Sequence, residues 1–220
     1  MKIVCVIPAR YASTRLPGKP LADIAGKPMV VRTYERALLA QKPSEVIVAV
    51  DDERVKIAVE TAGGKAVMTA KDHPTGTDRL AEVAEKISDA DVIINIQGDE
   101  PLIDPQIIDD LAQVFVDDEN LQMATVKTPM LEEEKNKPSN VKVITDKNDF
   151  ALYFSRSLIP YPRENTGVTV YKHIGIYGYR RDFLLQYAKM QPTPLEQTES
   201  LEQLRALENG YKIKVITTNK

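Results

Sequence analysis

Short apolar runs alternate with segments of helical periodicity through the first half of the chain. The apolar runs cover residues 3–7, 46–50, 66–69 and 92–96, and their continuous hydrophobicity is typical of strands buried on both faces. Apolar residues at helical spacing predict helices over residues 28–41, 53–62, 78–87 and 105–116. This succession predicts a mostly parallel sheet with helices on both faces, where ligands bind beyond the carboxyl ends of the strands.

The second half of the chain loses this regular alternation. Its patterns predict strands over residues 123–127, 141–145, 151–155, 169–177 and 212–217, and helices over residues 182–189 and 199–207. Residues 136–140 and 161–167 are predicted to be loops. Because no linker divides the chain, we expect residues 1–220 to form one α/β domain, in which the second half extends the sheet and adds an insertion.

Composition narrows the class of protein. The 220 residues are 43% hydrophobic and 28% charged, as expected for an ordinary soluble domain. The sequence has no run of 18 apolar residues and no signal-peptide pattern, so we expect no membrane span and no secretion. The lone Cys5 favours the cytoplasm, and its place in an apolar run predicts a buried, unreactive thiol. The net charge of −3 argues against broad binding of nucleic acid.

A cationic segment follows the first predicted strand. Residues 7–20 contain Arg10, Arg15 and Lys19 and no acidic residue, against the negative balance of the whole chain. A loop of this kind offers backbone N–H groups and positive side chains, both of which bind phosphates. The alternative interpretation is an exposed loop that is basic without binding anything.

Two carboxylates, Asp99 and Glu100, follow the fourth predicted strand in the turn at residues 97–101. Mg²⁺ binds carboxylate oxygens together with substrate phosphates. Because adjacent residues point to opposite sides, only one of the pair is expected to face a ligand, and we choose Asp99. The alternative is a turn with solvated acids, but a nearby cationic loop favours a site for a metal-bound triphosphate. Asp51 also lies at a strand end, so the topology predicts that these segments converge.

A further candidate pocket comes from the second half. Alternation along residues 173–179 puts His173, Gly175, Tyr177 and Tyr179 on one face of a strand, and Arg156 ends the preceding predicted strand. Such side chains suit an acidic, hydroxylated molecule. A half-buried strand whose side chains are already satisfied is the alternative.

Capping and charge patterns predict two local interactions. Thr77 or Asp78 is expected to cap the helix that begins near residue 78, where free N–H groups and Arg79 are placed to contact a nucleotide. The alternative is a plain capped loop without a ligand. Glu196, Glu199 and Glu202 recur at intervals of three, and the spacing of Glu202 and Arg205 suits an ion pair on a helix surface. The alternative is that these glutamates accept hydrogen bonds from sugar hydroxyls.

Six motifs in this order resemble the 3-deoxy-manno-octulosonate (Kdo) cytidylyltransferase family. They lie at residues 8–20, 73–79, 97–101, 153–156, 173–179 and 195–205, so the resemblance spans nearly the whole chain. The motifs at 8–20 and 97–101 are shared with sialic acid cytidylyltransferases, whereas those of the second half are more specific.

The resemblance implies a fold and an activity. The fold is the Rossmann-like nucleotide-diphospho-sugar transferase type, with a nucleotide-binding half over about 1–120 and an inserted β-rich, sugar-binding and dimerisation region within about 121–220. The reaction is CTP plus Kdo giving CMP-Kdo and diphosphate, with Mg²⁺, in the cytoplasm, for lipopolysaccharide biosynthesis. The expected partners are the two small substrates and a second copy in a homodimer, with no nucleic acid and no membrane.

The resemblance also implies roles for individual residues. The triphosphate is expected to contact Arg10, Arg15 and Lys19, with Asp99 on the metal. The nucleotide is expected to contact Arg10, Ser13, Lys19, Thr75, Gly76, Arg79 and Gln97. The sugar acid is expected to contact Arg156, His173, Tyr177, Glu199, Glu202 and Gln203.

Two alternatives remain open at this point. One is a cytidylyltransferase for another sugar acid, of the sialic acid type. The other is a non-catalytic nucleotide-binding module, because the family continues into a Gly-x-Asp-Thr-Pro-Glu-Asp-type segment whose first aspartate is a second metal ligand. The sequence ends at Lys220, before the position of that segment.

Overall fold

Strands and helices of this chain are described by a computed structural model that covers residues 1–12 and 16–220. The strands are β1 (Ile3–Ala9), β2 (Asp23–Ile24), β3 (Lys27–Pro28), β4 (Glu45–Val50), β5 (Lys65–Met68), β6 (Val92–Asn95), β7 (Met123–Pro129), β8 (Lys142–Thr145), β9 (Ala151–Ser155), β10 (Tyr171–Arg180) and β11 (Lys214–Thr217). The α-helices are α1 (Met29–Ala37), α2 (Glu53–Thr61), α3 (Gly76–Lys86), α4 (Pro105–Asp117), α5 (Arg181–Tyr187), α6 (Pro194–Glu199) and α7 (Leu204–Glu208). Two 3₁₀ turns lie at Lys19–Leu21 and Glu132–Glu134.

The large sheet has the strand order β11-β7-β10-β6-β1-β4-β5. Strands β6, β1, β4 and β5 pair in parallel, and β11 is parallel to β7. Strand β10 is antiparallel to both of its neighbours β6 and β7, and it also pairs with β8, which pairs with β9. The predicted mostly parallel α/β sheet is confirmed, and β10 joins the second half of the chain to it.

The core lies on both faces of this sheet, because successive residues of a strand point to opposite sides. On one face Ile3, Cys5 and Ile7 of β1 belong to an apolar cluster that includes residues of α1, α2 and α4. On the other face Val4 and Val6 belong to a cluster that includes residues of α3 and α5. The prediction that Cys5 is buried is confirmed, and burial raises the pKa of its thiol far above the ordinary value.

Two local predictions are wrong. The side chain of Thr75, not of Thr77 or Asp78, accepts a hydrogen bond as the N-cap of α3, and Asp78 completes a reciprocal capping box. The helix predicted over residues 199–207 is two short helices, because Ser200 adopts a left-handed backbone with φ 53° that ends α6. Residues 200–203 therefore connect α6 to α7.

Within residues 1–12 and 16–220, no helix combines the length and hydrophobicity needed to cross a membrane.

Candidate active site

The carboxyl ends of β1, β4 and β6 meet at one edge of the sheet, and Arg10, Asp51 and Gln97 follow these strands closely. A cavity of about 310 Å³ opens there, which we call the first cavity. It is lined by Pro8, Ala9, Arg10, Lys19, Pro20, Met29, Gly76, Gln97, Gly98 and Asp99. The convergence that strand order predicts is thus present in the structure.

Lys19 and Asp99 form an ion pair across the first cavity. The Lys19 Nζ lies 2.6 Å from the Asp99 Oδ2, and the two side chains are 41% and 50% exposed. A pair this exposed contributes little to stability, on the order of 0–1 kcal/mol. Lys19 and Asp99 can therefore separate, and each can bind a ligand group instead, without disturbing the fold.

Gly98 allows the ends of β1 and β6 to lie in contact. A Cβ atom added at Gly98 would lie 2.6 Å from the carbonyl oxygen of Pro8, closer than real Cβ atoms come to backbone. The absence of a side chain therefore brings the Gln97–Asp99 backbone against the exit of β1.

Hydrogen bonds hold Tyr11 and Gly18, which belong to the cationic loop at residues 7–20. The N–H of Tyr11 donates to Asp51 Oδ1 at 2.9 Å, and the N–H of Gly18 donates to the Tyr11 carbonyl at 2.9 Å. The Arg54 guanidinium lies 3.6 Å from the centroid of the Tyr11 ring and donates to its hydroxyl at 2.9 Å. These contacts hold Tyr11, and through it Gly18, beside the N-terminus of α2. Ser13 and Arg15, which are predicted site residues, lie outside the described residues.

Arg79 has a fully buried side chain, so its expected direct contact with a nucleotide stays a prediction. Its guanidinium donates to Thr69 Oγ1, to the Ala70 carbonyl at 3.0 Å and to Asp51 Oδ2 at 3.5 Å. Burial lowers the pKa of Arg79, and the charge of Asp51 opposes that shift. Arg79 therefore acts through Asp51, whose other oxygen holds the cationic loop.

A second cavity of about 220 Å³ adjoins the first, and the two share Pro8, Gly76 and Gln97. It is lined by Pro8, Gly76, Thr77, Asn95, Gln97, Tyr177, Tyr179, Tyr187, Glu202 and Gln203. Three predicted sugar-acid residues, Tyr177, Glu202 and Gln203, thus share one cavity beside the first.

Hydroxyl groups and one carboxylate give the second cavity its chemistry. The Thr77 hydroxyl donates to Glu202 Oε1 in a short hydrogen bond. Burial raises the pKa of Glu202, and the hydrogen bond from Thr77 opposes that shift. Burial also raises the pKa of Tyr177 well above its ordinary range, so this phenol stays protonated and can donate.

His173 contacts Tyr177, one of the residues that line the second cavity. Its ring is 5.4 Å from the Tyr177 ring and 5.0 Å from the Phe154 ring, centroid to centroid. Its Nε2 is 2.8 Å from Thr125 Oγ1, and burial lowers the pKa of the imidazole to about 3. His173 is therefore neutral at physiological pH and supports Tyr177 through ring contact.

Arg156 and Glu199 hold the segment that carries Glu202. Glu199 accepts from the Ser155 hydroxyl at 2.7 Å and from the Arg156 N–H at 2.8 Å. The Arg156 guanidinium donates to the carbonyls of Glu199 and Ser200 at 2.7 and 3.2 Å, and to Pro138 at 3.1 Å. Neither residue is among those that line the two cavities, so their direct contact with a substrate stays a prediction.

Comparison with known proteins identifies the family. A family model described as cytidylyltransferase matches residues 4–213. The 3-deoxy-manno-octulosonate cytidylyltransferase of Fusobacterium nucleatum subsp. nucleatum is 57% identical, over 99% of this chain and 89% of that protein. The chain belongs to the 3-deoxy-manno-octulosonate cytidylyltransferase family. The family member of Geotalea uraniireducens is 53% identical over 100% of this chain and 92% of that protein.

Two solved structures resemble this chain to different degrees. A CMP:2-keto-3-deoxy-manno-octonic acid synthetase complexed with CTP superposes with a TM-score of 0.97 and 50% identity, covering 100% of this chain and 91% of that one. A 4-diphosphocytidyl-2C-methyl-D-erythritol synthase from Anaerococcus prevotii has a TM-score of 0.63 at 12% identity, covering 98% of this chain and 87% of that one, and shows the shared fold alone.

Sequence reasoning missed two residues that line the second cavity. Asn95 and Tyr187 line the second cavity, and neither was predicted to do so. The expected surface pair of Glu202 with Arg205 is wrong, because Arg205 turns inward to the buried Glu196 while Glu202 accepts from Thr77. One available signal was Asn95 itself, a polar residue inside an otherwise apolar run.

Proposed function

We propose that this protein activates Kdo by transferring the cytidylyl group of CTP, giving CMP-Kdo and diphosphate. One observation carries the proposal: a cavity bearing Arg10, Lys19 and Asp99 adjoins a cavity rich in hydroxyl groups, with Gln97 in both. Cations beside a carboxylate suit a triphosphate with its metal, whereas hydroxyls and a carboxylate suit the hydroxyl groups of a sugar acid. Two such cavities in contact allow one substrate to attack the other.

The chemistry is a displacement at phosphorus. The anomeric hydroxyl of Kdo attacks the α-phosphorus of CTP and forms the new P–O bond, and the bond from that phosphorus to the β-phosphate bridging oxygen breaks. The hydroxyl proton passes to solvent, and diphosphate leaves with the electron pair. Arg10 and Lys19 line the first cavity and offset the charge of the departing diphosphate. By the family pattern, Arg15 and Ser13 join them.

Mg²⁺ is the proposed cofactor, and Asp99 is its proposed protein ligand. Among the described residues, no three His, Cys, Asp or Glu side chains cluster as a metal cage. One half-exposed carboxylate that faces a cationic cavity fits Mg²⁺, which commonly takes one or two carboxylates and substrate phosphates. When bound, the ion neutralises triphosphate charge.

The remaining residues divide between the two substrates. Thr75, Gly76 and Gln97 are proposed to contact the nucleotide, at the N-terminus of α3 and the exit of β6. Tyr177, Glu202 and Gln203 are proposed to contact Kdo. We propose that Arg156, Glu199 and His173 support that pocket, since their observed contacts are with its backbone and rings.

We further propose a homodimer that works in the cytoplasm and supplies CMP-Kdo for lipopolysaccharide biosynthesis. These three statements rest on the resemblance of the motifs to the Kdo cytidylyltransferases. Sedimentation equilibrium at micromolar concentration tests the first of them, and a monomer mass would overturn it.

The activity is tested by incubating the protein with CTP, Kdo and MgCl₂ and measuring diphosphate release and CMP-Kdo mass. We expect release that requires both substrates and stops with EDTA. No release would overturn the proposal, and clear preference for sialic acid over Kdo would indicate the other substrate class.

A matched pair of variants localises this chemistry. Lys19 and Lys27 are both exposed lysines in surface ion pairs, at 2.6 Å from Asp99 and 2.5 Å from Glu35. Only Lys19 lines the first cavity. We expect Lys19→Met to lower kcat/KM for CTP by about 100-fold or more, the scale of removing one charge-stabilising group, and Lys27→Met to leave it unchanged.

A further inference from the structure

Asn95, the last residue of β6, has a buried polar group that finds no partner in the part of the chain that the structure describes. Its side chain lines the second cavity, and the residue is 6% exposed. Its Oδ1 has no hydrogen-bond partner among the described residues. Leaving a buried carbonyl oxygen unpaired costs free energy, so such groups are rare in folded proteins and call for a reason.

The surrounding strand makes this amide more unusual. Ile93, Ile94 and Ile96 are all fully buried and apolar, so an apolar residue at position 95 would continue the pattern. Ile94 and Ile96 pack into one core cluster, whereas Asn95 and Gln97 alternate with them and line the cavity. Tyr177 lies directly opposite Asn95 in the β10–β6 register and lines the same cavity. The amide therefore faces the space beside Tyr177.

The residues that line the second cavity indicate which kind of ligand group can pair with the Asn95 amide. Its described lining includes the carboxylate of Glu202 and no cationic side chain, so a phosphate is disfavoured there. Thr77, Gln203 and the tyrosines add neutral hydrogen-bonding groups. A ligand hydroxyl both donates and accepts, so it pairs with either the oxygen or the nitrogen of the amide.

We propose that Asn95 is a substrate-contacting residue that binds a hydroxyl of the sugar acid and helps select the acid that is activated. The proposal rests on the proposed function, since it assigns the second cavity to Kdo. It gives a reason for an unpaired amide oxygen in an apolar strand, because the substrate supplies the hydrogen-bond partner.

The test uses Asn95→Leu, which keeps the approximate shape and removes both polar groups. Loss of one hydrogen bond to substrate predicts about a tenfold rise in KM for Kdo, with less than a twofold change in KM for CTP. The melting temperature should stay the same or rise, since an unpaired buried amide is replaced by an apolar side chain. A purely structural role predicts the opposite, a lower melting temperature with both KM values affected.

Deoxy analogues of Kdo, each lacking one hydroxyl, identify the contact. For one analogue we expect wild type to lose about tenfold in kcat/KM while Asn95→Leu loses nothing further. Ile94→Leu, on the opposite face of the strand, serves as the control and should keep the wild-type KM for Kdo. If Asn95→Leu does not fold, Asn95→Ser replaces it.

The outcomes separate the two proposals. Wild type that releases no diphosphate from CTP and Kdo overturns the proposed function and this assignment with it. Active wild type with an unchanged KM for Kdo in the Asn95 variant overturns the assignment alone. An equal rise of both KM values with a lower melting temperature also overturns it.

Discussion

Glu196 and Arg205 form a buried ion pair that fastens α6 to α7. The Arg205 Nε donates to Glu196 Oε2 at 2.9 Å and its Nη2 donates to Oε1 at 2.5 Å. The two residues are 8% and 6% exposed. Glu202 and Gln203, which line the second cavity, lie in the connection between these helices. The pair therefore positions part of the proposed sugar-acid pocket.

Substitution Glu196→Gln keeps the shape of the side chain and removes its charge. Breaking one side of a buried pair costs about 3–5 kcal/mol, because the remaining charge is left uncompensated. Arg205 keeps a hydrogen bond to the Met190 carbonyl at 3.3 Å, so we expect the lower end, about 3 kcal/mol. Each kcal/mol shifts the melting temperature of a domain this size by about 2–4 °C, which gives a fall of about 6–12 °C.

Thermal and urea unfolding measure the effect. Glu132→Gln is the matched control, because Glu132 also pairs with a cation, Lys135 at 2.5 Å, but is 84% exposed, so we expect a loss below about 1 kcal/mol. The double variant Glu196→Met, Arg205→Leu should recover most of the stability. A Glu196→Gln melting temperature within 1 °C of wild type would refute the reasoning, as would a loss equal to that of the control.

The same pair predicts a dependence on pH. Burial raises the pKa of Glu196, but hydrogen bonds from Arg205 and the Thr193 N–H and the Arg205 charge outweigh it and lower the pKa below the ordinary 4.5. A lowered carboxyl pKa stabilises the fold above the unfolded value, and that stability is lost as pH falls through the folded value. Wild type should therefore lose more stability than Glu196→Gln between pH 5 and pH 3.

Three further predictions concern the site. Asp99→Asn should lower kcat by about 100-fold or more while the protein still folds, since the proposed metal loses an anionic ligand in an exposed position. Arg156→Ala should raise KM for Kdo far more than KM for CTP, because it frees the backbone of Glu199 that leads to the second cavity. His173, with its pKa lowered to about 3 by burial, should keep a constant imidazole chemical shift from pH 8 to pH 5, measured by NMR. Its burial as a neutral ring lowers stability as pH falls below about 6.5, the unfolded value.

Each of these has a result that would contradict it. Near-normal turnover of Asp99→Asn, with the 96% exposed Asp182→Asn as control, would remove Asp99 from the mechanism. A larger effect of Arg156→Ala on CTP than on Kdo would mean that the two cavities are assigned in reverse. A His173 titration midpoint between pH 5 and pH 8 would contradict its burial. His73→Gln identifies the signal, because the chain has 2 histidines.

The first half of the fold was predictable because its information is local. Apolar runs of strand length and helical periodicity are properties of neighbouring residues, and strand topology then brings Lys19 and Asp99 together across 80 positions. The prediction that these segments converge needed only the rule for parallel strands.

The second half was less predictable because its contacts join distant segments. The hydrogen bond between Thr77 and Glu202 spans 125 positions, and no spacing along a helix indicates it. The interval of Glu202 and Arg205 predicted a surface pair, but the left-handed Ser200 divides the helix and turns Arg205 to Glu196. Arg79 likewise gave no sign in sequence that its guanidinium is buried against Asp51.

Contact between the main chains at Gly98 limits how this enzyme can be redesigned. Even a methyl group at Gly98 would collide with the Pro8 carbonyl. The segments that bear Arg10 and Asp99 are therefore packed directly against each other. A substitution at Gly98 would displace both segments at once. Engineering toward other triphosphates must therefore begin at other side chains of the first cavity, for example at Lys19, whose side chain is 41% exposed.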